Sequence, residues 1–107
     1  LKNIEGRVEN ALDIVDKLNG YYYHFNELAG EFEYDTKSRQ VGVSAQEVEA
    51  VIPEVVKPAP INEGNDTDYK TVQYEKLVPV LIEAIKELRS EIETLKANKV
   101  DVNGGII

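Results

Sequence analysis

Between Val78 and Leu95 the apolar residues fall at Val78, Leu81, Ile85, Leu88, Ile92 and Leu95, in alternating steps of three and four. That spacing is the a/d seam of a heptad repeat, with Val, Ile and Ile at a and Leu at every d. It demands a long helix whose apolar stripe must be covered by something. The cover is either the rest of the same chain or a second copy, and the unbroken alternation with balanced flanks favours self-association. From Glu75 to Lys99 five acidic residues stand against five basic ones. Glu91 at g and Lys96 at the following e are spaced to pair between chains, while Glu83, Lys86, Glu87 and Arg89 fill the outer face. Pro79 lacks an N–H, which costs little only in a first turn, so the helix is set to begin near Glu75 with a distortion there. Isoleucine at a with leucine at d prefers parallel dimers in isolated coiled coils. Three heptads are short for such a helix standing alone, so the residues before it must help hold it together.

Those residues, 1 to 74, carry seven basic and 14 acidic side chains, so nearly all of the chain's net charge of −8 sits on a head. An acidic head of this kind is the wrong sign for phosphate, which argues against nucleic acid as a partner. At 107 residues the chain makes one modest domain. It has no cysteine, which excludes disulfides and thiolate zinc sites, and its single histidine excludes a multi-histidine metal site. No apolar run reaches the length of a membrane span. The chain opens on Leu1 and contains no methionine, which reads as a piece of a longer translation product.

Along the head, Ile4, Val8, Ala11, Leu12, Val15 and Leu18 follow helical spacing, predicting an amphipathic helix over 4–18 stopped by Asn19-Gly20 in a left-handed turn. Tyr21-Tyr22-Tyr23-His24-Phe25 has high strand propensity, and Gln40 to Val43 reads as its partner, so 21–43 is predicted to be a hairpin with a wide loop. A short strand is expected in that loop at Glu31 to Tyr34. Ser44 with Glu47 three residues on predicts a reciprocal capping box for a short helix that Pro53 ends. Residues 57–68 concentrate Pro, Gly, Asn and Asp and read as a loop, and Tyr69 to Tyr74 as a third strand.

Few of these residues point to chemistry. His24 in an aromatic strand reads as a packed ring with one hydrogen bond. Asn65-Asp66-Thr67-Asp68 lacks the ligand spacing and closing glutamate of a calcium loop and reads as a solvated turn. Glu27, Glu31, Glu33 and Asp35 are explained by a polar hairpin edge. Tyr21 to Tyr23 invite sugar or base stacking, but alternation puts at least one ring in a core. Ser44 is committed to its cap and is no nucleophile. No metal, cofactor or membrane partner is called for. The residues alone define an α+β fold: a small antiparallel sheet head with short helices over 1–74, a coiled-coil helix over 75–99, and a frayed tail over 100–107. That is a scaffold or interaction module rather than a conventional enzyme.

A resemblance sharpens this. The order Leu1-Lys2-Asn3-Ile4, Ala11-Leu12-Asp13, Leu18-Asn19-Gly20-Tyr21, Val41-Gly42-Val43-Ser44-Ala45-Gln46-Glu47-Val48, Ile52-Pro53-Glu54-Val55-Val56 and Leu81-Ile82-Glu83-Ala84-Ile85-Lys86-Glu87-Leu88 resembles the intramolecular-chaperone auto-processing domain of bacteriophage tail spikes, tail fibres and endosialidases. The resemblance implies a homotrimer that aligns the upstream fibre chains of the same precursor and then releases itself by a serine–lysine dyad. On that likeness Lys2 is the candidate dyad lysine, and the serine, from the family's Ser-Asp, lies upstream of this chain. Peptidase activity is thus a family property that the chain alone does not carry. The likeness also implies action in the host cell cytoplasm during virion assembly, with release from the mature fibre. A second reading is a permanent oligomerisation or adaptor module that shows its acidic head to a protein partner. A third is a carbohydrate-binding tip built on Tyr21 to Tyr23.

Overall fold

The computed structural model describes residues 1–59 and 69–98 of the chain. The seam helix, α4, runs from Leu77 to Ala97, after a 3₁₀ turn at Tyr74–Lys76. Pro79 is its third residue, among the N–H groups that have no partner within the helix in any case, so the proline replaces a donor that the helix does not use.

The first helix is shorter than its apolar pattern predicts. α1 spans Ala11–Asp16, and residues 1–8 hold no regular structure. Asn10 sits in the left-handed region at φ 54° and Gly6 at φ 153°, so helical backbone cannot continue through them. Ile4 is consequently exposed, while Val8 packs at the edge of the core. The helix ends at Lys17, before Asn19-Gly20, and Gly20 is not left-handed.

No side chain next to it caps α1. The cap comes instead from α4, 75 to 76 residues away in sequence. The Glu87 carboxylate accepts from the Ala11 N–H at 2.7 Å and the Leu12 N–H at 3.4 Å. A carboxylate at a helix N-terminus satisfies orphan donors and meets the positive end of the helix dipole. Glu87, read from spacing as an outer-face charge, is thus half-buried between two helices.

β1, Tyr21–Tyr23, pairs antiparallel with β2, Gln40–Gly42, as the hairpin reading predicts, with Tyr22 opposite Val41. The wide loop holds a helical turn, α2 at Glu27–Gly30, and not the strand expected at Glu31 to Tyr34. Local capping explains the difference: the Asn26 side chain accepts from the Ala29 N–H at 2.9 Å, and Asp35 accepts from the N–H groups of Lys37 and Ser38. Those bonds, with the Ser38 side chain foremost, hold the Asp35 carboxyl below its usual pKa.

α3, Ala45–Val51, begins at Ser44, whose hydroxyl accepts from the Glu47 N–H at 3.3 Å. The capping box is only half made, because the Glu47 carboxylate turns away from Ser44 to Tyr21 and Asn19. A 3₁₀ turn at Pro53–Val55 leads into β3, Val56–Pro58, a strand where the proline-rich composition predicts loop. β3 pairs antiparallel with β4, Lys70–Val72, and Pro58 stands at the end of its ladder, where a missing donor is tolerated. β4 is shorter than the strand expected from Tyr69 to Tyr74, since Tyr74 opens the 3₁₀ turn. The solvated turn expected at Asn65 to Asp68 and the frayed tail expected over 100–107 lie outside the described residues.

Two small clusters make the core. Ala11, Val80 and Ala84 join α1 to α4, and Val48, Val55 and Leu77 join α3 and the 3₁₀ turn to the start of α4. Ile52 packs against both. Among the described residues the architecture is therefore α+β, with two two-stranded antiparallel sheets, short helices and one long helix.

Replacing the Glu87 cap tests this tie. Glu87→Ala is expected to lower stability by about 1 to 2 kcal/mol, the usual worth of a helix cap, with Glu87→Gln in between because its carbonyl still accepts. Urea unfolding reads the effect, and a wild-type midpoint for Glu87→Ala would show that α1 needs no cap from α4.

Candidate functional site

α4 divides its surface between two tasks. Leu77, Val80 and Ala84 are buried against the head, and Glu87 continues that row. The heptad residues Val78, Leu81, Ile85, Leu88, Ile92 and Leu95 occupy the adjacent face, and every one is exposed, from 44% at Ile92 to 71% at Leu95. The six predicted interface residues therefore lie together on one open stripe, and the head does not cover it. The reading in which this seam simply packs the helix onto its own domain fails for that reason. From Leu88 to Asn98 every residue of the helix and its cap is exposed. Glu83 pairs with Lys86 at 3.6 Å and Arg89 with Glu93 at 3.2 Å along the outer face. The Arg89–Glu93 pair is fully at the surface, and such exposed pairs contribute only a few tenths of a kcal/mol.

A second feature is a cleft of about 620 Å³ beside the hairpin, lined by Tyr21, Tyr23, Phe25, Tyr34, Ser44 and Tyr74 among others. Phe25 packs edge-on to Tyr23 with centroids 5.4 Å apart and tilted against Tyr34 at 4.7 Å. None of Tyr21, Tyr22 and Tyr23 is buried, so the ring expected in the core is not there; the strand is aromatic because it walls a cleft. The Tyr22 ring carries the Arg39 guanidinium 3.9 Å from its centroid. His24 is exposed rather than packed.

The cleft is held by two hydroxyls. Tyr74 accepts from the Val43 N–H at 3.1 Å, and its oxygen occupies the space that a Cβ on Gly42 would take. Gly42 is therefore required by the close approach of Tyr74. The Tyr21 hydroxyl donates to Glu47 Oε1 at 2.7 Å, and Asn19 donates to the same oxygen at 3.0 Å. The other carboxylate oxygen of Glu47 is buried without a partner. The bond to Glu47 holds the Tyr21 proton in place and raises its pKa above 10.0; burial and the neighbouring Tyr74 raise that of Tyr23.

Lys2, the candidate dyad lysine, is exposed on the N-terminal stretch, as are Leu1 and Ile4. Glu27, Glu31, Glu33 and Asp35 are all exposed on the hairpin loop. Among the described residues no group of three or more His, Asp or Glu side chains is arranged to hold a metal ion, and no helix is long and apolar enough to cross a membrane. Sequence reasoning missed the cleft-forming roles of Gly42, Tyr74 and Glu47. The Val41-Gly42-Val43 run in a strand was the one available signal, since glycine inside a strand often marks a close approach.

With this geometry in view, comparison with known proteins gives a consistent answer. The model of a peptidase family, S74, described as the chaperone of endosialidase, matches residues 1–57. The long tail fibre protein Gp37 of Enterobacteria phage K3 is 34% identical over 90 residues, which is 84% of this chain and 7% of that protein. The same protein of Enterobacteria phage T2 is 34% identical over 90 residues, 6% of its length, and that of Salmonella phage S16 is 33% identical over 88 residues, 11% of its length. The chain belongs to the chaperone-of-endosialidase family. It spans about a tenth or less of the tail fibre proteins that it matches.

The Gly42–Tyr74 contact predicts a paired effect. Gly42→Ala is expected to cost about 1 to 3 kcal/mol by overpacking, and Tyr74→Phe about 1 kcal/mol for the lost acceptor. The double variant should cost less than the sum, because removing the hydroxyl relieves the collision; full additivity in urea unfolding would separate the two residues. Tyr21 predicts a pH dependence. Its folded pKa is raised, so its bond contributes stability below 10.0 that is lost as pH rises through the folded value. Thermal melts between about pH 9 and 11 should fall more steeply for wild type than for Tyr21→Phe, and parallel curves would exclude the linkage.

Proposed function

We propose that this domain is a cleavable trimerisation chaperone for a phage tail fibre. Three copies associate through the α4 seam, bring the upstream chains of their precursors into register, and are then released by self-cleavage at a serine upstream of Leu1. The observation that carries the reading is the open stripe from Val78 to Leu95, in a chain whose head already packs on the neighbouring face of the same helix. Covering a half-exposed Leu or Ile side chain is worth roughly 1 kcal/mol, so six per chain supply enough to drive association. Registering three chain ends raises their local concentration and offsets the loop-closure cost of winding a long fibre.

Lys2 is the proposed dyad lysine. A lysine takes a serine proton only when neutral, and burial favours the neutral form. Lys2 is exposed in the single chain, so on this reading the site is completed by assembly, which ties cutting to successful trimerisation. The setting is the host cytoplasm during virion assembly, after which the mature fibre sheds the domain.

Two measurements test the reading. Ile85→Asp with Leu88→Asp should leave a folded monomer by sedimentation, since both side chains are exposed in the single chain; an unchanged assembly mass would remove the seam from the interface. Intact mass spectrometry on a product extended upstream by some tens of residues should show a split before a serine, blocked by substitution of Lys2. An uncut fusion that still assembles would favour the permanent adaptor.

A further inference from the structure

We propose that Asn19-Gly20 is a site of slow self-modification, at which the Gly20 backbone nitrogen closes on the Asn19 side chain and expels ammonia. The acid that remains unseats Glu47 and loosens one wall of the tyrosine-lined cleft.

Among the described residues Asn19 is the one asparagine followed by glycine. Asn3 precedes Ile4 and Asn26 precedes Glu27, whose side chains crowd the nitrogen that would have to attack. Asn10 precedes Ala11, whose N–H is already held by Glu87. Asn19 and Gly20 are both exposed, in the connection between α1 and β1, outside any helix or strand. The Gly20 N–H makes no hydrogen bond among the described residues. A Cβ built on Gly20 would meet no atom within 4 Å, so the space that ring closure needs is open. Unhindered backbone beside an asparagine is the setting in which this thermolabile side chain fails first.

Water is the co-reactant. The Gly20 nitrogen gives up its proton to solvent base and bonds to Asn19 Cγ. The Cγ–Nδ2 bond breaks, and ammonia leaves with a proton taken from water. A second water opens the resulting succinimide ring at either carbonyl. The product is aspartate, or isoaspartate with the main chain running through Cβ.

Glu47 slows the first step and is displaced by the last. Asn19 Nδ2 donates to Glu47 Oε1 at 3.0 Å. That bond restrains the amide, and an acceptor cannot hand the leaving nitrogen the proton it needs. Once the amide is an acid, the donor is gone and a like charge replaces it beside Glu47 Oε1, which also accepts from Tyr21 at 2.7 Å. Glu47 Oε2 is buried without a partner, so no other bond holds the carboxylate in place. Glu47 turns out to water, and Tyr21, which lines the cleft, is released with it. Isoaspartate also lengthens the main chain between α1 and β1, so the change is one-way and reaches the same strand.

The test is peptide mapping of the folded 107-residue chain held for weeks in mildly alkaline buffer, which reads Asn19 separately from Asn103-Gly104. Wild type should accumulate aspartate and isoaspartate at Asn19 and release ammonia; an Asn19 that stays an amide would overturn the site. Gly20→Ala is admitted by the open space and by a φ outside the left-handed region. It should slow conversion by at least about tenfold, and an unchanged rate would overturn attack by the Gly20 nitrogen. Glu47→Ala should speed conversion severalfold, and an equal or slower rate would overturn the restraint. In urea unfolding Asn19→Asp should have a lower midpoint than Asn19→Ala, because it adds a like charge besides losing the donor. Equal midpoints would overturn the unseating of Glu47.

Discussion

The arrangement depends on where one carboxylate goes. Glu87 reaches back from α4 to the first two N–H groups of α1, and that bond fixes which face of the long helix the head may occupy. A six-residue helix is far too short to be stable alone, so α1 exists because α4 caps and covers it. With α1 seated on the row from Leu77 to Glu87, the neighbouring row from Val78 to Leu95 is left for something else. Capping within the chain and exposure of the seam are two results of one placement.

The core shows the same economy. It consists of aliphatic side chains in two clusters, with Ile52 reaching both, and no polar residue is fully buried among the described residues. So little buried surface leaves a narrow stability margin for a chain this size. Association through an apolar stripe adds stability by mass action, because a partner that binds only the folded form pulls folding forward. Under the proposed association, folding of the head and assembly of the helix would reinforce each other, in a member of a chaperone family whose relatives are long tail fibre proteins.

What could be read in advance follows the range of the interactions involved. The long helix was legible because apolar residues in alternating steps of three and four over three heptads mark one helix face, and the hairpin because three tyrosines in succession favour strand. The predicted helix over 4–18 was too long, since Asn10 turns left-handed in the middle of a convincing apolar pattern. The strand expected at Glu31 to Tyr34 lost to the side-chain caps of Asn26 and Asp35. The roles of Glu87, Glu47 and Tyr74 were hidden because their partners lie 76, 26 and 31 residues away, and no local pattern marks such pairs. Lys2 entered by likeness alone, and its exposure in the single chain is compatible with a role that begins after assembly.

The position of α1 also decides how the domain carries tension. A pull on the N-terminal stretch passes through Asn10 to the start of α1, and from there into α4 through the Glu87 carboxylate and the Ala11–Ala84 packing. The route is short, and it bypasses both sheets and the aromatic cleft. Strain arriving from that end is therefore delivered to the longest element of the described fold, and the tyrosine-lined hairpin remains slack while the helix takes the strain.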